Sequence, residues 1–280
     1  MKYKIEKNTV QETLVIPLYA RKLCSELYPE LYRDETAVRL LGQIDYDFSA
    51  AEKKSRSLMR RFGALEVAAR QNGLGFEVRD YLQLHPHAAV VNLGCGLDNT
   101  GRDCDNGICK LYNLDFPDVI AVRNELLPAG ERKKNVSCDL NDTTWLEEID
   151  ASDGAVFFAA GVFYYFRTEQ VKTLVRNMAG AFPGSALVFD AANQTAVSMI
   201  ARTWLKGAEI KNVDAYFAVS DARRELSPWD SRLQVTSRGY MLGYDDLKAS
   251  SISSFFRFLA KFGDNRLKMQ IVKIVFGVGA

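Results

Sequence analysis

The sequence has few histidines, few prolines and no long apolar runs. Two histidines and seven prolines occur in 280 residues. His85 and His87 flank Pro86, a poor setting for a Ser–His–Asp triad. The five cysteines, at positions 24, 95, 104, 109 and 138, show no C-x-x-C pairing, so a zinc site is not expected. An odd number of thiols in a chain of this size fits a reducing compartment better than a disulfide framework. Charge of one sign is also missing. The 36 Lys plus Arg against 35 Asp plus Glu leave a net charge of +1, without the basic excess that neutralises phosphates in a nucleic-acid partner. The most apolar stretches, such as AVFFAAGVFYYF, reach about twelve residues and are too short to span a membrane. The N-terminal MKYKIEKNTVQETL lacks the apolar core of a signal peptide. The expectation is a cytoplasmic protein with no metal and with neither nucleic acid nor membrane as partner. Its composition, 48% hydrophobic and 11% aromatic, can bury a core.

The order of patterns implies an α/β fold. TLVIPLYARKLCSEL places Leu14, Leu18 and Leu23 near one helical face, and Pro29 closes the segment. AEKKSRSLMRRFGALEVAAR continues in helical character, and GFEVRDYLQL reads as a further short helix before HPH. From Ala88 onward, short apolar runs (AVVNL, KLYNLDF, NVSCDL, AVFFAA, ALVFD) alternate with the helical stretches DVIAVRNELL, TTWLEEI and EQVKTLVRNMAGAF. Runs apolar on both faces imply a mostly parallel sheet covered by helices on both sides. Beyond Asp190, NQTAVSMIARTWLKGAEI and SSFFRFLAKF read as helices, and RLQVTSRGYML and MQIVKIVFG as strands. One domain over 1–280 is expected: an N-terminal helical lid over 1–84, a ligand-binding core over 85–192, and a lid insertion with C-terminal strands over 193–280.

The informative segment is VVNLGCGLD. A strand running into Gly94-Cys95-Gly96 lets the backbone turn tightly and approach a ligand. Asp115, at the end of the next strand, can accept hydrogen bonds from both hydroxyls of a ribose. It could equally cap the helix beginning around Pro117. The third glycine of a dinucleotide fingerprint is missing, and Asp98 would repel a pyrophosphate there. S-adenosylmethionine has no phosphate, so these residues favour a methyltransferase over a dehydrogenase.

VVNLGCGLD, YNLDFPDVIAVRNELL, CDLNDTTWL and FFAAGVFYYF, in this order between Thr13 and Asp190, resemble the leucine carboxyl methyltransferase family. The likeness is strongest to its bacterial branch of polyketide carboxyl methyltransferases. The resemblance implies a Rossmann-like class I S-adenosyl-L-methionine-dependent methyltransferase with an N-terminal helical addition, and S-adenosyl-L-homocysteine as product. It implies that Gly94 and Gly96 line the methionine portion and that Asp115 holds the ribose. Asp139 would take the exocyclic amine of adenine, with Leu140 giving a backbone contact. Asp139 could also cap the turn before Trp145. Of the family's R-x-R-x-x-x-D stretch, Arg70 stands at the first arginine and would grip the cofactor carboxylate, although it could also be a solvated helix charge. Asn72 replaces the second arginine, for which Arg21 or Lys22 could substitute. Ala160 stands where the family often has an acid, and the arginine usual after the G-L-D block is displaced to Arg102.

A carboxylate acceptor is ionised at neutral pH and needs no general base, whereas a phenol often does. No catalytic residue is assigned from the sequence. The cluster Phe163-Tyr164-Tyr165-Phe166 follows the fourth strand of the core, where Tyr164 and Tyr165 could line a small-molecule acceptor pocket. Methylation of a protein C-terminal carboxylate and cofactor binding without turnover are the alternatives, and the sequence leaves the oligomeric state open.

Overall fold

The computed structural model describes residues 2–5, 10–49, 52, 57–200, 216–248 and 252–277. Residues 51 and 53–56 and the second half of the expected helix after Gln194 lie outside the described residues.

The N-terminal part comprises β1 (Tyr3–Lys4), α1 (Val10–Leu27), α2 (Glu35–Gln43), β2 (Ile44–Asp45) and α3 (Leu58–Leu84). β1 and β2 form a small parallel pair that the sequence pattern did not suggest. α1 buries Leu14, Leu18 and Leu23, as their spacing requires, and runs on past Pro17. α2 starts where the Asp34 side chain accepts the Ala37 N–H. α3 corrects the expected division into two helices. It is continuous over 27 residues because Gly73 lies buried and lets the helix approach Tyr244 and Ile271, where a Cβ would meet side-chain atoms at 3.0 and 3.1 Å. That close packing offsets the ~1 kcal/mol that a mid-helix glycine costs. His85 ends the helix and stacks on Tyr81.

The core elements follow as β3 (Ala89–Leu93), α4 (Thr100–Asp103), β4 (Lys110–Asp115), α5 (Pro117–Leu126), β5 (Lys133–Ser137), β6 (Ala155–Ala159), α6 (Thr168–Ala181), β7 (Ala186–Ala191) and α7 (Gln194–Ile200). α8 (Ala222–Leu226), β8 (Leu233–Gly239), α9 (Ser254–Phe262) and β9 (Gln270–Phe276) complete the described part. TTWLEEI forms only a single 3-10 turn over Thr144–Glu148, a correction to the expected helix.

The seven-stranded sheet has the order β5-β4-β3-β6-β7-β9-β8. β3 to β7 are parallel, and β9 enters antiparallel between β7 and β8. Every residue of β3, β6 and β7 is buried, because alternate side chains enter different cores. Val91, Leu93, Phe157, Leu187 and Phe189 pack with Val171, Leu174, Val175 and Met178 of α6 on one face. Val90, Val156, Phe158 and Val188 pack with Leu65, Ala69, Leu74 and Val78 of α3 on the other. The chain order reverses between β3 and β6, so a crevice opens at their C-terminal ends, where open α/β sheets bind ligands. Among the described residues no helix is long and apolar enough to cross a membrane.

Candidate functional site

The buried strand β3 delivers the glycine turn into this crevice. Gly94 has φ +64° and Gly96 φ +46°, the left-handed region that favours glycine. A Cβ on Gly94 would lie 2.7 Å from Val162 Cγ2, so the turn fits against the loop after β6 only without a side chain. Asp115, at the end of β4, fastens the turn sideways. Its Oδ2 accepts the Gly96 N–H at 2.7 Å and its Oδ1 the Phe116 N–H at 2.8 Å. It does not cap α5, whose N-cap Phe116 makes no side-chain cap. Burial raises the Asp115 carboxyl above its usual range, opposed by those two N–H donors and by the Arg123 charge.

Two buried arginines brace the same turn from behind, and the first was weighed from the sequence for a different task. Arg21 pairs with Asp34 at 2.8 Å and donates from Nη2 to Leu97 O at 2.8 Å. It holds backbone, so it does not take the place of the second arginine. Lys22 pairs with Glu26 on the next turn of α1. Arg123 donates from Nη1 to Gly96 O (2.9 Å) and Asp98 O (2.8 Å), and from Nη2 to Asn113 Oδ1 (3.0 Å). Sequence reasoning missed Arg123. The only available signal was a cation in the last turn of a helix otherwise apolar on that side.

Asp98 is buried and held by Gln71 Nε2 (2.7 Å), Thr100 Oγ1 (2.9 Å), Asn92 Nδ2 (3.1 Å) and the Thr100 N–H (3.2 Å). These donors are neutral, so its charge stays beside the turn and, with the missing third glycine, disfavours a pyrophosphate there.

On the other side of the crevice stands Arg70 of α3. It is not a solvated charge: its side chain is 18% exposed, and Nη1 lies 3.4 Å from Asp190 Oδ2 at the end of β7. Its Nε is buried without a partner. The other oxygen of Asp190 accepts the Gly161 N–H at 2.6 Å. Tyr164, Glu66 and Tyr240 close this cluster, and the Tyr240 hydroxyl donates to Glu66 Oε1 at 3.3 Å. Burial and the nearby Asp190 carboxylate hold the Tyr164 phenol far above its ordinary range, and burial also raises the Glu66 carboxyl. Asn72, about 200° further round the helix from Arg70, donates to Leu31 O and to both oxygens of Asp245, away from the crevice. Ala160 directly precedes Gly161 in the β6 turn, so the carboxylate reaching that turn is Asp190.

The third expected strand, β5, ends at Ser137. Asp139 lies two residues beyond it, exposed, with Oδ1 accepting the Asn141 N–H and side-chain amide. It does not cap the 3-10 turn that holds Trp145, whose N-cap Thr143 makes no side-chain cap, although Asp142 Oδ1 accepts the Thr144 N–H at 3.1 Å. Leu140 is buried beside Trp145. Phe163 and Phe166 join the aromatic core with Phe189 and Phe217, Tyr164 is buried, and Tyr165 is 43% exposed. His85 and His87 lie at the start of β3, the opposite end of the sheet from the glycine turn. Arg102 is exposed on α4. All five cysteines are free, and among the described residues no three His, Cys, Asp or Glu side chains gather as a metal would need.

A family model described as leucine carboxyl methyltransferase matches residues 15–179. The tetracenomycin polyketide synthesis O-methyltransferase TcmP of Streptomyces glaucescens is 30% identical over 183 residues, which cover 65% of this chain and 66% of that protein. The S-adenosyl-L-methionine-dependent methyltransferase dpfgK of Gibberella zeae is 26% identical, covering 66% of each chain. The matched part thus spans just under two thirds of these relatives' length. Among solved structures, one from Thermobifida fusca superposes with a TM-score of 0.57 at 16% identity, over 93% of this chain and 94% of the other. A DUF574 family protein from Streptomyces avermitilis gives the same TM-score at 12% identity, over 93% and 97%. These two share the fold.

Proposed function

Because the chain belongs to the leucine carboxyl methyltransferase family, we propose that it methylates an oxygen of a small molecule, foremost a carboxylate. Its cofactor is S-adenosyl-L-methionine, which supplies a methyl group already activated on a sulfonium and leaves as S-adenosyl-L-homocysteine. The observation that carries the reading is the bond from the Gly96 N–H to Asp115 Oδ2. It sets a partly solvated carboxylate beside a turn at which Gly94 admits no Cβ. In this reading Gly94 and Gly96 receive the methionine portion, and Asp115 takes the ribose hydroxyls. Arg70 takes the amino-acid carboxylate, which answers its unpartnered buried Nε. Asp139 and Leu140 flank the adenine. Tyr164 and Tyr165 border the acceptor, and residues 1–84 and 193–280 cover it.

The protein's task is then to hold an anionic oxygen about 3 Å from the methyl carbon, in line with the departing sulfur. A carboxylate needs no base for this. That preference is supported by the position of both histidines at the far end of the sheet from the crevice. Five free thiols, four of them buried, suit a cytoplasmic setting.

Calorimetric titration with S-adenosylmethionine, S-adenosylhomocysteine and NAD tests the cofactor, and transfer of labelled methyl to carboxylate and phenol panels tests the acceptor. Asp115→Ala is expected to weaken cofactor binding at least about tenfold. Tight binding of NAD alone, or an unchanged affinity in the folded variant, would contradict the assignment.

A further inference from the structure

Among the described residues, two bidentate arginine–aspartate pairs lie outside the crevice. Arg132 meets Asp105 at 2.8 and 2.9 Å, and Arg232 meets Asp230 at 2.9 and 2.7 Å. The buried Arg70–Asp190 pair is built differently. A single nitrogen approaches a single oxygen at 3.4 Å, while the second oxygen of Asp190 is given to the Gly161 N–H at 2.6 Å. Asp190 is itself fixed, at 3% exposure, in register opposite Ile271 of β9. Arg70 is pressed on the β6 turn, since a Cβ on Gly161 would come within 2.8 Å of Nη1. The guanidinium is therefore located at one corner, and Nε stays buried with nothing to bond. An arginine side chain free to choose among rotamers would lose conformational entropy on gripping a ligand. A carboxylate that pins one corner beforehand removes much of that loss.

We propose that Asp190 is a positioning residue that fixes one corner of Arg70 so that its remaining N–H donors face the amino-acid carboxylate of the bound cofactor. This rests on the methyltransferase reading above. It predicts an effect confined to the part of the ligand that Arg70 meets, which a merely structural ion pair would not produce.

The experiment compares S-adenosylhomocysteine with 5′-methylthioadenosine, the same thioether nucleoside without the amino-acid end (both its ammonium and its carboxylate), by calorimetry on wild type and Asp190→Asn. The same measurement on Arg70→Met with and without Asp190→Asn separates a direct contact of Asp190 with the ammonium from one made through Arg70. Wild type is expected to prefer S-adenosylhomocysteine. Asp190→Asn should bind that ligand about tenfold more weakly and 5′-methylthioadenosine within about twofold of wild type. Equal losses for both ligands, or no loss for either, would overturn the proposal. Absence of binding of either nucleoside to wild type would instead remove the cofactor reading on which it stands. Arg70→Met and Arg70→Met/Asp190→Asn also serve should Asp190→Asn alone not fold, since the double variant leaves no lone buried charge. If Asp190 works through Arg70, these two bind S-adenosylhomocysteine equally. A further tenfold loss in the double variant would refute it.

Discussion

Replacing Arg123 by methionine tests whether the glycine turn is held in shape from behind. The side chain is 2% exposed, and its three hydrogen bonds end on Gly96 O, Asp98 O and Asn113 Oδ1. A buried acceptor left unsatisfied costs about 1–3 kcal/mol, so three amount to about 3–9 kcal/mol before any relaxation. Methionine keeps much of the volume and removes the cost of burying a guanidinium whose Nε already lacks a partner. The net loss should then be about 3–5 kcal/mol, or about 6–10 °C in Tm for a chain of this size. Urea unfolding measures the loss. Calorimetry with S-adenosylhomocysteine, at a temperature where the variant is folded, should show about tenfold weaker binding, because both carbonyls belong to the turn. Arg102→Met, on the exposed arginine of α4, is the control and should stay within about 0.5 kcal/mol of wild type. An Arg123→Met protein within about 1 kcal/mol of wild type and unchanged in binding would refute the idea that this strut shapes the site.

What could be read beforehand was whatever is written in local order. AVVNL, AVFFA and ALVFDA are apolar at every or nearly every position, which is how a strand buried on both faces looks, and all three became central strands of the sheet. Gly94 and Gly96 follow the first of them, and their positive φ values agree with the tight turn expected there. Side-chain partnerships made across the chain left no such mark. Asp98 looks ligand-facing beside two glycines, yet one of its donors, Gln71, comes from 27 residues upstream. Asp190 and Arg70 are 120 residues apart, and neither Asp-Ala-Ala nor Ala-Arg-Gln identifies the other as a partner. Asn72 replaces a family arginine in the linear register, but helix geometry points it to Asp245. The pattern over residues 51–84 suggests two helices, yet α3 runs through Gly73, where the close approach of Tyr244 and of Ile271 on β9 explains a glycine without the helix ending.

Two acids with opposite displacements give pH-dependent outcomes. The Asp105 carboxyl falls to about 2, first through its hydrogen bonds to Arg132, so its contribution is present above the ordinary carboxylate range and is lost as pH falls from about 4 to about 2. Asp105→Asn should therefore be slightly less stable than wild type to urea at pH 7 and equal to it at pH 2, the effect being small because solvent screens the pair. Asp103 runs the other way. Its carboxyl is pushed up to about 6 by desolvation first, then by the charges of Asp34 and Asp98. With the folded value above the unfolded one, the folded state favours the neutral acid, and stability is lost as pH rises from about 4 through about 6. Asp103→Asn removes that charge and keeps an oxygen to accept from Asn99 Nδ2, which now bonds Asp103 Oδ1 at 3.2 Å. Solvent reaches the exposed Asp103 carboxyl and screens its neighbours, so the gain at pH 7 should be about 1 kcal/mol, vanishing by pH 4. A variant equally stabilised at both pH values would trace the gain to packing and not to the charge of Asp34 and Asp98 beside it.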